Sequence, residues 1–455
     1  MDCVNRVAFR CLVLALVVLI SAGCAQTLPG RCLMAQTNRA CPRAELELVA
    51  FEEQATDRLQ ELLNLAVKHH PDLRVAHARV EAARGRMIQA GLYPNPAIGS
   101  HFTQLGDSTN RLGQPGARVI QTIVTGGKLR IAKAAAAHGI EAADWQAITR
   151  WHDVVARVRF AYFESLVAQA EQQTMNEIVR ISTEALATAT SLEKAGAGTR
   201  TDVLRAKVEL EQNRLKREVS LRRVEAARQS LWTSLGRHPT TLRLIDPPQR
   251  ELEQSPPVYE WNTLLECLHE NSAELHEAQA LVAQQEKLLV RAQKEVRPNI
   301  TVTATPSYES TRREMRAEIT VTAPIPIFDR NQGNIHTAQA DLARTRAEVQ
   351  QLELRLTERL INAYQRYQSA RQQTESYHKT IVPDARESLK LVETGYRAGD
   401  RKYDYTAVLQ AQQVLFQAQL AHTQALGELW RSVIEIANIL QQDDLRGRCA
   451  VRERR

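Results

Sequence analysis

The chain has 455 residues, with 59 Lys and Arg against 52 Asp and Glu for a formal net charge of +7, and only 5% aromatic residues. Charges of both signs are interleaved, which marks solvated helix faces and argues against a nucleic-acid partner. Gly (19) and Pro (16) are sparse over long spans, leaving room for helices longer than a globular domain uses.

At the N-terminus, Arg6 and Arg10 precede an uncharged run, Cys11 to Ile20, followed by Ser21-Ala22-Gly23-Cys24-Ala25. The run is too short to span a bilayer and reads as a secretory signal over 1–23. Two cleavages stay open. Ala22-Gly23-Cys24 resembles a lipoprotein box, making Cys24 the lipidation candidate, and an ordinary peptidase would cut before Gln26. No later segment reaches 18 consecutive apolar residues, so a membrane part must be built from strands. Residues 24–56 read as a linker, in which Cys32 and Cys41 either form a disulfide or stay free thiols.

A first repeat is expected over 57–245. Leu59, Leu62, Leu63 and Ala66 share one helical face, the pattern breaks before Pro71, and it resumes from Asp72, a candidate cap, through Leu73, Ala76, Val80 and Ala83. Pro94 and Pro96 end that helix. Two short strands are expected at about 97–105 and 117–125, joined by a polar loop. Residues 128–194 hold no proline and one glycine, predicting a helix about 100 Å long. A glycine-bearing turn and a returning helix close the repeat.

After a linker at 246–258, a second repeat over 259–442 has strands at about 299–308 and 317–325. In these, Ile300, Val302 and Ala304 alternate with Thr301, Thr303 and Thr305, and Ile319, Val321 and Ala323 with Thr320 and Thr322. A second long helix is expected over 333–394, kinked at Val382 because Pro383 lacks the backbone donor. Residues 443–455 form a basic tail. The two repeats are a tandem duplication: Pro94-Asn95 stands 204 residues before Pro298-Asn299, and Thr125-Gly126-Gly127-Lys128 opposes Asp329-Arg330-Asn331-Gln332 at the same offset.

Alternating strands of roughly nine to eleven residues fit a tilted transmembrane β-strand. Four of them cannot close a barrel, and lipid forbids an open edge, so the chain must oligomerise; three copies supply twelve strands. Enzyme signatures do not occur: there is no nucleophile elbow, phosphate loop or His-Glu-x-x-His. His69, His70 and His77 lie seven and eight apart rather than three or four. No catalytic residue, cofactor or bound metal is expected.

The turns Ala195-Gly196-Ala197-Gly198-Thr199-Arg200-Thr201-Asp202 and Tyr396-Arg397-Ala398-Gly399-Asp400-Arg401-Lys402 are each followed by Val-Leu-x-Ala, at Val203 and Val408. From about Leu59 to Leu445 the chain resembles the TolC-like outer-membrane efflux protein family. Leu92-Tyr93-Pro94-Asn95-Pro96 and Gly126-Gly127-Lys128 are similar to outer-membrane components of cobalt-zinc-cadmium type heavy-metal exporters. The resemblance implies a mainly α protomer with a small transmembrane β part. Three protomers would make one tube, a 12-stranded β-barrel continued by a 12-helix α-barrel across the periplasm.

It also implies an outer-membrane channel of a tripartite efflux system, a passive duct for metal ions or small molecules. Its partners would be two further copies, a periplasmic adaptor protein, an inner-membrane pump and outer-membrane lipid. Gly198, Thr199, Arg200, Gly399, Asp400 and Arg401 would form the tip that meets the adaptor. Tyr396, Gly399 and Arg401 match the family's entrance frame, but Ala407 and Gln410 stand where its acidic gate residues usually are. Asp202 and Asp404 are the remaining acidic candidates. Arg200, Arg205, Arg397, Arg401 and Lys402 outnumber Asp202, Asp400 and Asp404, which predicts a net positive tip. Other readings are a duct for type I protein secretion and, from a different class, a periplasmic coiled-coil scaffold.

Overall fold

A computed structural model of the chain describes residues 57–103, 114–237, 252, 256–309, 312–398, 402–445 and 450–451. The signal, the linker with Cys24, Cys32 and Cys41, the turn residues Gly399, Asp400 and Arg401, and most of the basic tail lie outside the described residues.

Each copy runs helix, helix, two strands, very long helix, returning helix. The first comprises α1 (Asp57–His69), α2 (Pro71–Ala90), β1 (Ala97–Thr103), β2 (Gln114–Ile123), α3 (Lys128–Lys194) and α4 (Arg200–Ser234). The second has a short strand β3 (Val258–Tyr259), α5 (Trp261–Asn271), α6 (Ala273–Lys294), β4 (Ile300–Glu309) and β5 (Glu314–Thr322). Its stem consists of α7 (Gln332–Ser376), a π-helical turn Tyr377–Ile381 and α8 (Val382–Arg397), followed by α9 (Tyr405–Ile439). A last strand, β6 (Ala450–Val451), pairs antiparallel with β3.

One local expectation changes, and another gains its physical detail. The cap of α2 is His70, whose Nδ1 accepts from the Asp72 N–H at 3.1 Å, with Pro71 as the first helical residue. Proline suits that position because its missing donor would be unsatisfied there anyway. Just before Pro383, where a kink is expected, the backbone passes through a π-helical turn. The Val382 N–H reaches back to the Tyr377 carbonyl, and Ile381 (φ −65°, ψ −47°) and Val382 (φ −70°, ψ −43°) stay helical. One wide turn absorbs the missing donor.

The core sits midway along the stem, where α1, α3, α4, α5, α7 and α9 meet. Phe163 stacks on Trp430 with ring centres 4.5 Å apart. The Trp430 indole N–H donates to the Leu252 carbonyl at 3.1 Å, and the Tyr367 hydroxyl to that of Pro257 at 2.8 Å. These bonds give buried polar groups their partners and tie the inter-repeat segment to the second copy. Buried Arg159 donates to the Gln442 and Asp443 carbonyls, fixing the segment that leaves α9. Gly427 lets α9 approach α3 closely, since a Cβ there would meet Val167 Cγ2 at 2.9 Å. Cys267 is disulfide-bonded, and because every other cysteine lies outside the described residues, so does its partner. The sequence reading had not assigned this bond.

Candidate functional site: a two-faced sheet and the distant helix turns

The four long strands form one antiparallel sheet in the order β1-β2-β4-β5, so the copies join through β2 and β4. Both return strands start three residues before the sequence placed them. Gln114 pairs with Thr103 and Glu314 with Glu309, and backbone pairing needs no apolar side chain.

The register sorts the side chains. Directly opposite residues share a face, and Ile98↔Val119, Phe102↔Pro115, Ile123↔Ile300, Val119↔Ala304, Val302↔Val321 and Ala304↔Ile319 all fall on one. Several of these apolar residues are exposed, Ile98 at 78%, Ile319 at 71% and Val321 at 64%. The other face carries His101, Arg118, Thr301, Thr303, Glu309, Glu314, Arg316, Glu318, Thr320 and Thr322. There Arg118 bonds His101 Nδ1 at 2.6 Å and Arg316 pairs with Glu309 at 2.7 Å. Apolar on one side and charged on the other is the pattern of a barrel wall between lipid and water.

Where strands become helices, Gly126 (φ 69°) and Gly127 (φ 70°) turn the backbone into α3; in the second copy Asn331 (φ 60°), the equivalent of Gly127, does the same for α7. Buried Lys128 extends to Asn299 Oδ1 at 2.8 Å, with Glu295 at 3.8 Å, and the Thr125 hydroxyl donates to the Pro298 carbonyl at 2.5 Å. The proline-asparagine pair of one copy thus receives the glycine-glycine-lysine corner of the other.

At the far end of the stem, α3 closes with Gly196 at φ 75°, the Ala197 N–H on the Leu192 carbonyl and the Gly196 N–H on that of Glu193. This is a Schellman ending. The left-handed position is therefore Gly196. Gly198 is needed for space instead, as a Cβ would stand 3.1 Å from the Glu193 backbone nitrogen. Thr199 and Asp202 form a capping box for α4, and Asp404 caps α9 by accepting from the Ala407 N–H at 2.9 Å.

Asp202, Tyr396 and Asp404 come together here. Tyr396 packs with Tyr405, Ala189, Val203 and Ala206, ring centres of the tyrosines 5.9 Å apart, and Arg205 donates to the Thr406 hydroxyl at 3.1 Å. Burial, then Asp202 and Asp404, raises the Tyr396 pKa; burial and the neighbouring Tyr396 push Tyr405 up to about 12. Both carboxylates thus have a capping role, and both tyrosines stay neutral. Thr199 and Arg200 are exposed, Arg200 lying 3.6 Å from Glu193. Gln410 is exposed, whereas Gln412 is buried and bonds Glu393 at 3.4 Å. Three further carboxylates lie near the turns: Glu193 by Arg200, Glu393 by Gln412, and Glu209, which bears on Tyr405.

Tyr405, Gln412 and Gly395 were missed by sequence reasoning. A Cβ on Gly395 would sit 2.3 Å from the Tyr403 ring, a contact with no local sequence signal.

A two-faced sheet continued by helices about 100 Å long is the architecture of a channel protein. No described helix is long and apolar enough to cross a membrane. The sequence profile of the Outer membrane efflux protein family matches residues 62–237 and again 264–441. The chain belongs to that family and is an outer-membrane efflux channel. It is 27% identical over 395 residues to the cobalt-zinc-cadmium resistance protein CzcC of Cupriavidus metallidurans, covering 84% of this chain and 89% of that protein. Among solved structures it shares its fold with the outer-membrane channel OprN (TM-score 0.72, 20% identity, 86% of this chain and 91% of that one). CusC is similar too (TM-score 0.72, 17% identity, 90% and 99%).

Proposed function

We propose that the chain is the outer-membrane duct of a tripartite exporter of divalent metal ions. The observation that carries the cargo is the likeness to CzcC along nearly the whole of both chains. Three protomers close a 12-stranded barrel through the free edges of β1 and β5 and a 12-helix tube below it, because an open edge is untenable in lipid. The repeats, 57–245 and 259–442, build this wall together, after removal of a signal over 1–23 and with Cys24 as the site of lipidation. The turns at Gly198 to Arg200 and Gly399 to Arg401 meet a periplasmic adaptor, an inner-membrane pump supplies the energy, and Asp202, Tyr396 and Asp404 border the entrance.

Deletion and complementation test the cargo. Loss of the gene should sensitise cells to cobalt, zinc or cadmium salts, with restoration by the intact gene. Unchanged metal tolerance beside a new sensitivity to organic toxicants would reject metal as the cargo while leaving the channel intact. Mass measurement of detergent-extracted protein should give three copies, and a monomer inserted in bilayers would overturn the assembly.

A further inference from the structure

The π-helical turn places a histidine where the two helices of the second stem meet. His378, on that turn, stacks against His422 of α9 with ring centres 5.8 Å apart and planes 26° from parallel. Two imidazoles that share one ion at about 2.1 Å have ring centres roughly 5 to 6 Å apart, so the pair already stands at that separation. His378 is exposed, leaving its ring room to turn, and His422 is half-buried.

Two oxygens share a helix turn with the pair. Thr374 precedes His378 by four residues and Gln419 precedes His422 by three, spacings that put side chains on one helix face. Thr374 Oγ1 and Gln419 Oε1 are both buried and have no hydrogen-bond partner. Other threonines of these helices, Thr345, Thr357, Thr394 and Thr423, donate to the carbonyl four residues back; Thr374 does not. A buried acceptor without a partner costs stability unless something else satisfies it, and wide turns of this kind recur at functional sites.

We propose that His378 and His422 bind one divalent transition-metal ion, with the Thr374 hydroxyl and the Gln419 amide oxygen as the neighbouring oxygen donors. Imidazole selects first-row ions such as Co²⁺, Ni²⁺, Cu²⁺ and Zn²⁺ over Mg²⁺ and Ca²⁺. Among the described residues no group of three or more His, Cys, Asp and Glu is poised for a metal. With two strong ligands, the site suits an ion that binds and leaves. The site stands independently of the cargo: metal tolerance of cells tests the one, and binding to purified protein the other.

The test is a Co²⁺ titration of the full-length protein, purified without a histidine tag, followed by visible absorbance and repeated with Zn²⁺ in competition. One ion per chain should bind, and His378→Ala and His422→Ala should each weaken it more than tenfold. Thr374→Val should weaken it about threefold, with Mg²⁺ failing to compete. His378→Gln serves if an alanine variant does not fold, with circular dichroism as the folding control. Absence of a stoichiometric ion, or an unchanged isotherm in a folded double variant, would overturn the proposal.

Discussion

The two copies use the same plan with different stems. In the first, 67 residues run as one unbroken helix, closed by a Schellman turn and a capping box. In the second, the stem is interrupted by a π-helical turn just before Pro383, and α8 buries only Ala385 and Leu389. Helix ends are held by caps and burial, and stretches with little of either open first. By that measure α8 is held less firmly than the matching stretch of α3, and backbone exchange should be faster there.

The largest expected effect asks whether the copies part company in their shared core. His152 is buried, and burial, with Arg159 nearby, lowers its pKa to about 4. The unfolded chain binds this proton near pH 6.5, so it holds more protons than the native state between those values and stability rises with pH across the window. Acidification from pH 7 to pH 4 should remove about 3 kcal/mol through this residue. Glu171 and Glu277, raised by burial, act with the opposite sign. The difference between wild type and His152→Phe in denaturation midpoint against pH therefore isolates the histidine. Acid-induced exchange confined to the first copy would show that the core is not shared.

Next, Gly395→Val should displace the Tyr403 ring and cost about 2 kcal/mol. Hydrogen exchange should rise over the end of α8 and not at Gly196. Equal loosening of both turns would break the comparison. Thr199→Ala removes the capping box and should cost about 1 kcal/mol, read as faster exchange in the first turn of α4 alone. Smallest is Pro383→Ala, under about 0.5 kcal/mol. It restores a backbone donor and should slow exchange across Tyr377–Val382, and no change there would mean that proline does not cause the wide turn.

Much of the outline was legible because duplication repeats local signals: Gly127 and Asn331, 204 residues apart, both adopt positive φ at the start of a stem. Alternation in β4 and β5 also put the threonines on one face, as the pairing Thr303↔Thr320 has it. Long-range partners were not legible. The disulfide of Cys267, the β3–β6 pair and the packing of Tyr403 on Gly395 join positions whose neighbours carry no shared pattern. Asp202 and Asp404 stand out as acidic gate candidates through the resemblance, while the helix cap that each also makes to the backbone is visible only in the geometry.

Buried Lys128, held between Asn299 and Glu295, has a consequence for how the duplication aged. Its equivalent in the other copy is Gln332, which bonds the Arg330 N–H and the Phe328 carbonyl within its own corner. The ancestral halves were interchangeable; their descendants are lock and key. A gene fusing two first copies would supply two lysines and, opposite them, Asn95 with Gly91 where Glu295 stands, and one fusing two second copies a full seat without its lysine.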